Sequence, residues 1–131
     1  MSKSEFEINS WDEKPYFEGK DGSKLTRASI AKSYVGDING SGALDYLMAY
    51  NPDGSAHFVG MEQIEGKIGT KSGSFVLSHE GIFREGVASS SFKVIKGSAT
   101  AGLIGLSGEG SFSTGHAKTV PIDFKYSFEN P

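Results

Sequence analysis

The residues best placed to do chemistry lie in three middle segments. Leu44, Tyr46, Met48 and Tyr50 recur at every second position of 43–50, with Ala43, Asp45, Leu47 and Ala49 opposite. Phe58, Gly60, Glu62 and Ile64 do the same in 55–68, and Phe75, Leu77, His79 and Gly81 do so in and just beyond 74–80. A period of two puts each set on one face of a strand. If these larger faces turn inward, they enclose an aromatic space with three polar handles: tyrosine hydroxyls, the Glu62 carboxylate and the His79 imidazole. Small-molecule sites have that composition, mostly apolar with a few placed polar groups. A buried Glu has a raised pKa and can act as a general acid or base. Trp11 and Glu109 are expected near one end of the enclosing fold. The candidate ligand set is therefore Trp11, Tyr46, Tyr50, Phe58, Glu62, Phe75, His79 and Glu109. The competing reading is structural. Tyrosines then serve as core with their hydroxyls at the rim, and Glu62 forms an ordinary ion pair with His79 or Arg84.

Other chemistries find less support. His57, His79 and His116 have no i, i+2 or i, i+4 pairing, so no metal site is expected, although His57 and His79 could meet across strands. The glycine-rich stretches 36–42 and 102–110 lack a complete phosphate-loop or dinucleotide pattern and read as turns and corners. There is no G-x-S-x-G elbow. The Ser89-Ser90-Ser91 run reads as a small-residue strand packed closely on a neighbour. No cofactor is expected.

Composition narrows the field further. The 131 residues make one domain, 1–131, and include 9 Phe, 5 Tyr and 18 Gly. The net charge is −3, and the 13 Lys and Arg are scattered among 16 Asp and Glu. That distribution gives no basic stripe for nucleic acid and no patch for an anionic membrane surface. With no cysteine there are no disulfides, thiolate nucleophiles or iron–sulfur sites. The opening MSKSEFEINSW has no apolar core of a signal peptide, and a cytoplasmic location is expected.

The elements that must position the candidate residues are strands. Residues 4–11 alternate, with Phe6 and Ile8 on one side. Residues 12–23, with Pro15, Gly19, Asp21 and Gly22, read as a loop that Trp11, Tyr16 and Phe17 pack down. Further strands are expected at 25–35, 43–50, 55–68, 74–80, 87–95, 108–113 and 119–128. A turn is expected at 36–40, and Asn51-Pro52-Asp53-Gly54 fits a type I hairpin turn. Gly60 and Gly66 suggest bulges inside the fourth strand. One helical turn is expected within 99–106. About eight strands joined by short connections indicate antiparallel pairing. The expected fold is all-β: a single closed or nearly closed antiparallel barrel, with an interior that fits packed side chains or one small ligand.

Five stretches carry a resemblance: SWDEKPY (10–16), KLTRAS (24–29), YLMAY (46–50), GSFVLSHEG (73–81) and GLIGLSGEGSF (102–112). Together they resemble the DUF3224 family of uncharacterised, mostly bacterial proteins, over nearly the whole chain. That family is similar in fold to allene oxide cyclase, an eight-stranded antiparallel barrel. The resemblance implies such a barrel and leaves a homo-oligomer open. It carries no activity and assigns no catalytic residue.

Three functional readings follow. The first is a barrel that binds a small apolar or amphipathic molecule, with affinity from aromatic burial. The second is an enzyme of the isomerase or cyclase kind acting on a hydrophobic substrate, with Glu62 or His79 polarising it. The third is a structural, self-associating module with a filled core.

Overall fold

A computed structural model describes residues 2–115 and 117–129. The strands are β1 (Ser2–Glu18), β2 (Lys24–Gly36), β3 (Ile38–Tyr50), β4 (Ala56–Ile68), β5 (Lys71–Arg84), β6 (Val87–Val94), β7 (Leu106–Thr114) and β8 (Thr119–Phe128). Each pairs antiparallel with the next, and β8 returns to β1, closing the barrel. Closure pairs the backbone of every strand and removes free edges over the paired length. Among the described residues no helix is long and apolar enough to cross a membrane.

Alternation decides what is inside. In β2, Thr26, Ala28, Ile30, Lys32 and Tyr34 are buried, and in β3, Ile38, Leu44, Tyr46 and Met48 are. The larger faces of β3, β4 and β5 do turn inward. Their side chains fill the barrel as two apolar clusters. One holds Phe6, Tyr34, Ile64, Phe75, Leu77, Phe92 and Phe124. The other holds Ala28, Ile30, Leu44, Tyr46, Met48 and Phe58. The expected helical turn is a short 3-10 turn at Ala101–Leu103, in the β6–β7 connection. It drives Leu103 fully into the first cluster and stoppers that end.

Three local expectations need correction. Residues 12–18 are not a loop but the second half of β1. Pro15 is tolerated there because β1 pairs with β8 only as far as Glu7–Thr119, so its outer edge has no partner that needs a donor. Tyr16 and Phe17 are exposed on this extension and do not pack down, while Trp11 is partly exposed with its ring over Tyr46. The bulges are in β1, between Ile8 and Ser10 and between Pro15 and Phe17, while β4 keeps unbroken register at Gly60 and Gly66. Gly60 is needed for close approach instead: a Cβ there would run into the Asp45 carbonyl oxygen and the Tyr46 ring. The turn at 36–40 is also tighter than expected, since β3 begins at Ile38. The 51–54 hairpin turn forms as expected, with Gly54 N–H donating to the Asn51 carbonyl at 3.0 Å.

Leu103→Ala should destabilise the protein by about 2–5 kcal/mol through the cavity left in the stopper. Urea unfolding checks this. A loss below ~1 kcal/mol would mean that the end closes without it.

Candidate functional site

Between the two apolar clusters lies a belt of charge. Glu62 on β4 is fully buried and accepts from three side chains. Its Oε1 accepts from His79 Nε2 at 2.7 Å and from Lys32 Nζ at 3.4 Å, and its Oε2 accepts from the Tyr34 hydroxyl at 2.6 Å. The strands dictate this meeting. Glu62 is two residues from Ile64, His79 two from Leu77, and Lys32 lies between Ile30 and Tyr34, so all four polar side chains are carried inward by apolar neighbours. Gly42, the register partner of Lys32 and Ile64, leaves room, since a Cβ there would overlap Glu62 Oε2.

Burial acts against every charge here, and the partners decide the outcome. For Glu62, burial raises the pKa, but Lys32, His79 and Tyr34 together outweigh it and hold the carboxyl below its ordinary value. For Lys32, burial lowers the pKa, and the single carboxylate at 3.4 Å only partly restores it. The two partners shift differently because Glu62 has three donors and Lys32 one acceptor. The ammonium is also faced by the Phe6 ring at 4.0 Å and the Phe112 ring at 5.4 Å. For His79, burial again leads; it lowers the pKa, Glu62 opposes it and Lys32 adds to it, so the imidazole sits below its ordinary value. Tyr34 and Tyr46 are pushed up, first by burial and then by the Glu62 charge. At neutral pH the belt holds a carboxylate, protonated phenols and a neutral imidazole, with the Lys32 nitrogen 3.4 Å from the carboxylate.

That state fixes the tautomer of His79. An ionised carboxylate only accepts, so Nε2 carries the proton and Nδ1 presents a lone pair. Nδ1 is buried and has no partner. The ring stands among Tyr46 at 6.0 Å, Phe92 at 5.4 Å and Phe112 at 6.5 Å between centroids. Among the described residues the other buried side-chain polar atom without a partner is Thr114 Oγ1. Thr114 is the next inward position after Phe112 on β7, in register with Ala88 and Phe83, four residues along the strands from the row of His79 and Phe92.

The β1–β8 seam is incomplete. Because the β1–β8 ladder stops at Glu7–Thr119, the later part of β1 has no neighbour on that side. Ile8 and Trp11 pair with the buried Lys32 and Ile30 and so face inward, yet they are 42% and 46% exposed. Glu13 continues this rim. It accepts from the Tyr50 hydroxyl at 2.6 Å, from Thr26 Oγ1 at 2.7 Å and from Trp11 Nε1 at 2.9 Å.

The candidate set therefore divides. Tyr46, Glu62 and His79 are brought together, with Phe58 tilted against Tyr46 at 4.6 Å and the Trp11 ring 6.3 Å from Tyr46. Tyr50 belongs to the Glu13 rim. Phe75 is inside but in the stoppered cluster, packed as core. Glu109 is corrected. It is exposed on the outer face of β7, opposite Lys93 and Lys125, because its inward neighbours there are Gly108 and Gly110. Arg84 does not pair with Glu62 and lies at the exposed end of β5; Lys32 takes that role. His57 faces outward beside Ile82 and cannot meet His79, and His116 lies outside the described residues. Among the described residues no group of three metal-ligating side chains converges. Lys32, Tyr34, Phe112, Thr114 and Glu13 were missed. A lysine two residues from both Ile30 and Tyr34 was the readable signal for the first.

Comparison with known proteins adds the lineage. The family model "Protein of unknown function (DUF3224)" matches residues 2–126. A solved structure, of a protein with unknown function from the DUF3224 family of Shewanella oneidensis MR-1, is similar at 28% identity. Each chain covers 100% of the other, with a TM-score of 0.78. No curated protein matches the chain.

The belt has a consequence for acid stability. His79 and Glu62 both have folded pKa values below their ordinary 6.5 and 4.5, so protonating either favours the unfolded chain. Their contributions are full above the ordinary values. The imidazole part is lost first as pH falls below about 6.5, and the carboxyl part follows below about 4.5. The urea midpoint should drop between about pH 7 and pH 5, and His79→Gln should abolish that first drop while keeping the second. A first drop that persists in the variant would assign it to another group.

Proposed function

Since this chain belongs to the DUF3224 family, and that membership brings no activity with it, we propose from the site's own chemistry that the barrel binds a small amphipathic molecule. The unpartnered Nδ1 of His79 carries this reading. An unmade hydrogen bond on a buried polar atom costs about 1–3 kcal/mol. Burying an ionised pair costs several kcal/mol per ion before its partners offset it, and apolar residues of the same volume would hold a barrel as well. Local expense of this kind concentrates at functional sites.

The ligand enters at the open part of the β1–β8 seam, past Ile8 and Trp11. Its apolar body lies against Tyr46, Phe92 and Phe112, with Phe112 swinging aside. Its head donates a hydrogen bond to His79 Nδ1. A head with an O–H or N–H is preferred over one without.

Paired probes test this. 2-Naphthol has the donor and naphthalene does not. The protein should bind 2-naphthol tighter by roughly three- to tenfold, the weight of one hydrogen bond. In His79→Phe the preference should vanish. Equal binding of both probes by the unaltered protein, measured by their fluorescence, contradicts the reading.

A second reading, association of copies, has its own observation. On the outer wall Leu47 and Val59 are register partners, Met61 lies beside them, and all three are exposed along a shallow groove of about 820 Å³. A closed barrel has no long free edge to offer, so copies would meet through such a face. Sedimentation should show an oligomer that Val59→Lys with Met61→Glu converts to monomer. A monomeric unaltered chain removes this reading.

A further inference from the structure

We infer that the Glu62–His79 pair is a base that moves protons on carbon, so that the barrel isomerises an apolar enolisable ketone by proton transfer next to the carbonyl. This rests on the ligand reading above and adds the reaction.

The geometry points there by what is present and by what is engaged elsewhere. A carboxylate bonded to one imidazole nitrogen orients the ring, sets its tautomer and stabilises the cation formed when the other nitrogen takes a proton. Here the carboxylate is on Nε2 at 2.7 Å, and Nδ1 is the free side. Glu62 already accepts three hydrogen bonds, which leaves it poorly placed to attack a substrate. The hydroxyl of the buried Ser90 is turned to the Glu80 and Ser91 carbonyl oxygens. The chain has no cysteine. A base without a neighbouring nucleophile suits proton transfer and not acyl transfer. One hydroxyl is at hand as a donor for developing negative charge: that of Tyr46, whose ring stands perpendicular to His79 at 6.0 Å and whose hydroxyl is hydrogen-bonded to Ser90. The apolar ring shell selects a hydrophobic substrate and keeps water from competing.

The step balances without a co-reactant. Nδ1 takes the proton from the carbon α to the carbonyl. The C–H electron pair becomes the enolate, whose oxygen accepts from the Tyr46 hydroxyl. The imidazolium is held by Glu62, itself kept ionised by Lys32. Returning the proton to the γ carbon moves a double bond into conjugation, and Nδ1 regains its lone pair. Nothing is oxidised or reduced.

The test uses the whole chain and cyclohex-3-enone, whose product is the conjugated enone, followed by ultraviolet absorbance. The rate should exceed that of equimolar imidazole by at least about a hundredfold, the low end for a positioned general base. His79→Gln, whose amide can still bond Glu62, should lose about that factor. If that variant does not fold, Tyr46→Phe leaves the base in place and should lower the turnover rate by about a hundredfold. A rate no better than free imidazole, or one that survives these substitutions, overturns the inference. Binding of 2-naphthol, read by its fluorescence, separates the two failures. His79-dependent binding of 2-naphthol without isomerisation sinks the reaction alone. Absence of that binding sinks the ligand reading with it.

Discussion

One buried carboxylate organises this barrel. Glu62 ties β4 to β2 through Lys32 and Tyr34, and to β5 through His79, across the middle of an otherwise apolar interior. Its charge cannot be left alone at that depth. Once it is present, a cation, two further donors and a glycine at position 42 are all required around it. The same requirement fixes His79 as a donor on one side, and therefore as a lone pair on the other.

The rest of the fold supplies contrast between the two sides of that belt. On one side Leu103 and its 3-10 turn stopper the barrel over a packed cluster. On the other, β8 gives out long before β1 does, and side chains that should be core stand in solvent. The extra residue between Ile8 and Ser10 matters here. A one-residue bulge changes which side chains face inward beyond it. It turns Trp11 and Glu13 toward the interior, where unbroken alternation from Phe6 and Ile8 would have sent Ser10 and Asp12. A polar, aromatic rim stands beside the opening as a result.

Much of this was legible in the chain itself. Alternation at Thr26–Tyr34, Leu44–Tyr50, Phe58–Ile64 and Val120–Phe128 marks strands whose period no helix can satisfy, and short connections then require antiparallel neighbours. Tyr46, Glu62 and His79 stand out on those faces as polar groups among apolar ones, and the structure brings them together. Glu109 looked similar, but its inward neighbours are glycines, which leave no apolar face to read, and it lies outside.

Sequence alone determined most of the strands, their pairing sense and that Tyr46, Glu62 and His79 travel with the core, because period two is a local property of the backbone. It could not determine partners. That Lys32 and not Arg84 meets Glu62, that His57 turns away from His79, and that His79 Nδ1 is left without a partner all depend on register and on where each ladder ends. Those are decided between strands far apart in the chain, by how the closed sheet fits around its own interior.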